Sequence, residues 1–261
     1  MTKNQWDAFC DYKSKLKNYC DQWMKFADEL KPLQKSAAEK DTPEYPLETA
    51  VVYNKAYDDL TEADEINLIV IGDNPGKDEQ LKINNRYLVG QSGKIAAGFF
   101  SRNPDLKTDF RKNVIIMNKT PVHTAKTNHL KYLSKNGSPE IKNLILESQK
   151  VMATMAAELH QQLISGCTEN SFVPQLWLVG YAELKKKGIF ELYRDTLKSA
   201  YKNQKNWDKV FVYQHFSMNR FTIDLNNFMT DKSDLTLCES LTLLGHNHRD
   251  EIFGDYNSIE K

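Results

Sequence analysis

Residues 66–100 read INLIVIGDNPGKDEQLKINNRYLVGQSGKIAAGFF, and this stretch decides the fold. Ile66 to Ile71 is a largely apolar run of strand length, without the polar alternation of a half-exposed strand. Gly72-Asp73-Asn74-Pro75-Gly76 then makes a tight turn, since each of these residue types favours turn geometry over a continued strand. A polar loop follows. Gly90-Gln91-Ser92-Gly93 leads into an apolar helix, Ile95 to Phe100. Strand, turn, polar loop and helix is the layout of a ligand site at the carboxyl end of a parallel sheet.

Three further runs resemble the first: Asn113 to Met117 (NVIIM), Gln175 to Val179 (QLWLV) and Lys209 to Tyr213 (KVFVY). Runs apolar throughout suit strands covered on both faces. Helical stretches separate them, at Ile95 to Phe100, Ile141 to Ile164 and Ala182 to Tyr201. The expected fold is therefore an α/β three-layer α/β/α sandwich with a central, mainly parallel four-stranded sheet. Right-handed crossovers gather the loops after the strands on one rim. These are residues 72–76, 118–124, Gly180-Tyr181 and 214–221.

Residues 46–261 form the expected α/β domain, and residues 1–45 an N-terminal helix and linker packed on it. Trp6, Phe9, Tyr12, Leu16, Tyr19, Trp23, Phe26 and Leu30 step by three or four residues and line one helical stripe. That stripe packs on the domain or, alternatively, meets a partner. Lys31 to Tyr45, polar with Pro32 and Pro43, reads as a linker or surface loop. Ala50 to Leu60 fits a short strand or a short helix equally well. The segment from Asp231 onward reads as a closing helix and a frayed polar end.

Composition narrows the function classes. No apolar run approaches the roughly 18 residues of a membrane span. The first residues lack the apolar core of a secretory signal, so the cytoplasm is the expected compartment. The four cysteines are scattered with no CxxC pair, which argues against a disulfide framework, a zinc site or an iron–sulfur cluster; no metal and no cofactor are expected. The 35 basic and 35 acidic residues cancel, which argues weakly against attachment to nucleic acid by bulk charge but permits a local basic surface. Gly90 to Lys94 (GQSGK) is not a P-loop: Leu88 stands at the first glycine position and Ile95 at the Ser/Thr. No GxGxxG follows any strand. His123 and His129 read as surface histidines of a polar loop, His246 and His248 as part of an exposed tail, and His160 carries no signal.

The rim residues are more informative. His215 follows the fourth strand, Asn118 ends the second, and Asp73-Asn74 follow the first. An Asn at a strand end offers an acceptor and two donors in a fixed fork, suited to a base edge. In this order the chain resembles the uracil-DNA glycosylase superfamily. It is most similar to the branch whose first motif reads G-E-A-P-G, then an acidic stretch, then R-P-F-V-G-x-A-G. The matching residues here are Gly72 to Gly76, Lys77-Asp78-Glu79, and Arg86-Tyr87-Leu88-Val89-Gly90-Gln91-Ser92-Gly93. Val179-Gly180 resembles the family's third strand and turn, and His215-Phe216-Ser217 its His-Pro-Ser. The branch's iron–sulfur cysteines have no counterpart, Leu88 stands at its stacking Phe with Tyr87 one residue earlier, and Phe216 replaces its Pro.

The resemblance implies a monofunctional, metal-free DNA glycosylase that removes uracil or a related deaminated base from a flipped nucleotide. It implies that Asn74 orients the attacking water, with Asp73 supporting the loop or the electrostatics. His215 stabilises the charge developing on the base. Asn118 hydrogen-bonds the base, and Tyr87 or Leu88 stacks on it. Gly76, Gly90, Ser92, Ser217, Met218 and Arg220 contact DNA, with Met218 to Phe221 in the loop that enters the duplex. The implied partner is damaged DNA and no membrane, with the oligomeric state open. The alternative is an inactive or re-purposed member that binds nucleic acid or a nucleotide-like ligand.

Overall fold

The structure is a computed structural model, and it describes residues 1–169, 171–201, 204–232 and 234–254. The chain order is α1 Lys3–Trp23, α2 Ala27–Ala38, β1 Leu68–Gly72, α3 Gln91–Arg102, β2 Val114–Asn118, α4 His129–Asn136, α5 Pro139–Ser165, β3 Gln175–Val179, α6 Glu191–Ala200, α7 Gln204–Trp207, β4 Val210–Tyr213, α8 Arg220–Asp231 and α9 Leu237–Phe253. The four strands are all parallel in the order β2-β1-β3-β4. This is the expected α/β sandwich.

The apolar runs are strands because each is needed on two faces. Ile69, Ile71, Ile115, Met117, Leu176, Leu178, Val210 and Val212 point to one side and join a core with α1, α2, α4, α5 and α6. The intervening Leu68, Val70, Val114, Ile116, Trp177, Val179, Phe211 and Tyr213 point to the other, against α3, α8 and α9. Successive strand side chains alternate faces, so between two helix layers the polar strand residues are confined to the ends, as with Asn118 and Gln175.

Local signals set the helix ends. Thr2 and Gln5 form a capping box at the start of α1, and Thr236 and Glu239 another at α9. Ser138 caps α5 and Pro139 takes its first turn, where a missing N–H costs nothing. The N-terminal stripe is a packing face: Phe9, Tyr12, Leu16, Cys20, Trp23 and Leu30 are buried in the first core.

Lys31 to Ala38 departs from the expected linker and is helical in α2, with Pro32 inside it. Leu30, Gln34 and Ala38 recur every four residues and are all buried. Their packing outweighs the hydrogen bond that Pro32 removes. Ala50 to Leu60 holds a single antiparallel bridge, Val51 to Val122, and a 3-10 turn at Lys55–Asp58. The helix expected from Ala182 begins at Glu191, after a 3-10 turn at Tyr181–Leu184. His246 and His248 lie in α9, not in an exposed tail; His246 stacks on Phe211 and His248 on Tyr181. The expected frayed end, residues 255–261, falls outside the described residues. Among the described residues no helix is long and apolar enough to cross a membrane.

The strand order places the site. The β1–β2 connection runs over the α3 face and the β2–β3 connection over the opposite face. The chain therefore diverges between β1 and β3, where open α/β sheets bind ligands.

Candidate active site

Register brings the strand ends level. Gly72 pairs with Asn118, Ile71 with Leu178, and Val179 with Tyr213. The loops that follow enclose a cavity of about 460 Å³, within the range of small-molecule sites. Asp73, Asn74, Gly76, Leu88, Ser92, Asn118, His215, Ser217, Met218 and Arg220 all line it.

Two expected residues do not. Tyr87 is buried away from the cavity, its hydroxyl donating to Val52 O at 2.6 Å. Leu88 faces the cavity instead, with a left-handed backbone (φ 49°) and its carbonyl accepting from Arg111 at 2.6 Å. Gly90 is the N-cap of α3 and is also off the cavity wall. In the last rim loop Met218 is 69 % exposed at the cavity mouth, with left-handed backbone at Met218 and Asn219. Phe221 is not part of an exposed loop; it is core, packed on Phe99, Trp177 and Tyr213.

A buried cation lies beneath the first turn. Lys119, next after β2, is fully buried, and its Nζ donates to Asp73 Oδ1 at 2.5 Å and to Val179 O at 2.6 Å. Burial lowers its pKa and the Asp73 carboxylate opposes that shift. The ammonium thus ties the ends of β1, β2 and β3 together. Asp73 also presses on Gly180: a Cβ there would sit 2.5 Å from Asp73 Oδ1, and its φ of 88° favours glycine.

Asn74 donates through Nδ2 to Thr124 Oγ1 at 2.8 Å. That bond fixes the amide and leaves Oδ1 as its acceptor. The turn is braced from below by His123, which is buried and not the surface residue its polar neighbours suggest. His123 Nδ1 lies 2.8 Å from Pro75 O and must donate, so Nε2 accepts from the Tyr45 hydroxyl at 3.1 Å. Burial pushes this imidazole down to about 4.

His215 has its tautomer fixed in the same way. Its Nδ1 accepts from the Ser217 N–H at 3.0 Å and lies 2.8 Å from Ser217 Oγ. Nε2 therefore carries the proton. Burial lowers the pKa, offset in part by Asp73, so the ring is a neutral donor at neutral pH.

Asn118 and Glu79 form the inner wall. Asn118 is 1 % exposed, and a side chain on Gly72 would place its first carbon 2.6 Å from Asn118 Oδ1. The amide oxygen thus occupies the space that Gly72 leaves. Asn118 Nδ2 and Glu79 Oε2 are both buried, with the Asn118 amide facing the Glu79 carboxylate. Burial pushes the Glu79 carboxyl up to about 7, against the Gly76 and Leu88 backbone amides and the Asn118 amide, which favour the charged form.

The sequence reading missed Lys119 as a buried anchor and Glu79 as a wall residue. Lys119 lies beneath the cavity and not on its rim, and Lys126 pairs with Asp41 at 2.8 Å. The one available signal for Glu79 was its place in the acidic stretch after Gly76. Among the described residues no group of three or more His, Cys, Asp or Glu is arranged to hold a metal. Comparison with family models, curated proteins and solved structures finds no match to this chain.

Proposed function

We propose that this chain is a monofunctional DNA glycosylase that hydrolyses the N-glycosidic bond of uracil or a related deaminated base. The observation that carries the reading is convergence. Asn74, Asn118 and His215 come from three strand ends far apart in sequence, and all three line one cavity of about 460 Å³. A base reaches such a cavity only when flipped from the stack.

The chemistry follows from the atoms available. As the bond from base to sugar breaks, negative charge grows on the base and positive charge on the sugar. His215 lines the cavity, and with Nδ1 held by the Ser217 N–H its Nε2–H is the neutral donor left for a ligand; a hydrogen bond from it strengthens as the base oxygen becomes an anion. Asn74 Oδ1, free of the Thr124 bond, accepts from a water and directs its lone pair at the sugar carbon. The Asp73 carboxylate, held by Lys119, supports the turn that carries Asn74. The water oxygen ends on the sugar, and its proton on solvent or the departing base. Ser92 at the start of α3, with Ser217 and Arg220 at the mouth, supplies phosphate contacts.

The test is release of free base from single- and double-stranded uracil-containing DNA. No release by the wild-type protein, where a known glycosylase works, would sink the reading. A second reading is a binding protein for a nucleotide-like ligand. Two features favour it: the buried Lys119 and paired Lys126 leave the mouth less basic, and Leu88 gives the wall no aromatic platform. Tight binding of uracil-containing DNA without base release would select it.

A further inference from the structure

Two side chains of the N-terminal segment end on His123. Tyr45 donates its hydroxyl to His123 Nε2 at 3.1 Å. Gln34, in α2, donates to the carbonyls of His123 at 2.7 Å and Ala50 at 3.0 Å. His123 Nδ1 in turn donates to Pro75 O at 2.8 Å, on the residue next to Asn74. Pro75 has no N–H, so its carbonyl is the polar handle by which this turn is gripped. The Thr124 amide reaches the same oxygen at a longer 3.3 Å. His123 is fully buried, and neither it nor Tyr45 lines the cavity, so both act on a ligand only through the turn.

We infer that His123 is a positioning residue whose donor nitrogen, selected by the Tyr45 hydroxyl, sets the Asn74-Pro75 turn for catalysis, so that the N-terminal segment completes the active site. This rests on the reading of the cavity as a glycosylase site and adds to it a residue that never meets the substrate.

A neutral imidazole has one donor and one acceptor. With Nε2 accepting from Tyr45, the ring proton lies on Nδ1, facing Pro75 O. Both halves of this lock persist through the neutral range: burial pushes the His123 ring down to about 4 and the Tyr45 hydroxyl up to about 12. Asn74 is one residue from the gripped carbonyl. Misplacing a reacting group by about 1 Å can cost roughly 100-fold in rate.

Asn and Gln each carry one half of the ring's polar pattern. His123→Asn places an amide N–H near the position of Nδ1 and keeps the Pro75 bond. His123→Gln places its amide near Nε2, keeps a partner for Tyr45 and leaves Pro75 O without that donor. On the whole chain with uracil-containing DNA, His123→Gln should lower kcat about tenfold to 100-fold with KM unchanged, and His123→Asn should retain most of the wild-type kcat. Tyr45→Phe should lower kcat about threefold in the wild type and add nothing to His123→Asn, whose shorter side chain does not reach position 45. Nitrogen NMR of the His123 ring should show the proton on Nδ1 and none on Nε2. Equal kcat for the Asn and Gln variants, a loss confined to KM, or a Tyr45→Phe effect of the same size in both backgrounds overturns the positioning role, while an active wild type keeps the glycosylase reading. A ring protonated on Nε2 overturns it whatever the activity. No base release by the wild type overturns both.

Discussion

Lys119 Nζ lies 2.5 Å from Asp73 Oδ1, and the two side chains join the carboxyl ends of adjacent strands under the cavity floor. Lys119 is fully buried, and Asp73 has 13 % of its side chain exposed. Removing one partner leaves the other charge in a poor solvent, typically at about 3–5 kcal/mol. Lys119→Met also deprives the Val179 carbonyl of its donor. We expect Lys119→Met to lose about 3 kcal/mol or more in urea unfolding. Lys119→Met/Asp73→Asn should recover a substantial part of that loss. Additive losses in the double variant would show that the pair is not coupled.

Two glycines separate stability from recognition. Gly180 has φ 88°, and a Cβ there would meet Asp73 Oδ1 at 2.5 Å. Gly180→Ala combines backbone strain with a displaced carboxylate, and about 2 kcal/mol or more of stability should be lost. Gly72 lies in β1 without positive φ, so alanine suits its backbone; the one close approach of the new Cβ is to the Asn118 amide oxygen, at 2.6 Å. Gly72→Ala should therefore impair uracil-DNA binding more than it lowers the urea midpoint. Equal affinity for wild type and Gly72→Ala would dissociate the Asn118 orientation from binding.

Buried titratable groups give stability an internal opposition. His123 and His160 are both pushed down by burial to about 4, so the folded state binds fewer protons than the unfolded chain between pH 4 and 6.5. Their contribution is present above 6.5 and is lost as pH falls toward 4, on the order of 3 kcal/mol each. Glu79, pushed up to about 7, acts in the opposite sense: it favours the fold below about 4.5 and costs stability as pH rises toward 7. Glu79→Gln should therefore stabilise the protein at pH 8 and have much less effect at pH 4.5. His160→Gln should shrink the drop in melting temperature between pH 7.5 and 5. Parallel wild-type and variant curves would remove these groups from the pH dependence.

Much of the scaffold was legible because its signals are local. Apolar runs of strand length, such as Gln175 to Val179, need no knowledge of their neighbours once burial on both faces is assumed. The rim loops follow from strand order and crossover handedness. What escaped depends on contacts between distant segments. His123 sits in a polar stretch, yet Tyr45 and Pro75 close over it. Pro32 reads as a breaker, yet Leu30, Gln34 and Ala38 hold α2 in place. Tyr87 and Leu88 are adjacent, and only the left-handed backbone at Leu88 decides which faces the cavity. Glu79 was visible as an acidic residue after a turn, but not as one enclosed by Gly76, Leu88 and Asn118.

The roles proposed for His215 and Asn74 lie in the transition state, so their loss should appear in turnover and not in affinity. His215→Leu removes the one donor fixed by the Ser217 amide, and single-turnover base release should fall about 100- to 1000-fold. Asn74→Ala removes the water acceptor and should act on the same step. Ser217→Ala keeps the backbone N–H that sets the His215 tautomer, so its effect should be less than about tenfold. Because the active ring is neutral and its pKa is lowered, the acid limb of the saturated rate should lie below the ordinary imidazole range near 6.5. If His215→Leu weakens uracil-DNA binding as much as it slows release, His215 holds the ground state and the oxyanion role is lost. If Ser217→Ala is as damaging as His215→Leu, the hydroxyl and not the amide controls the ring.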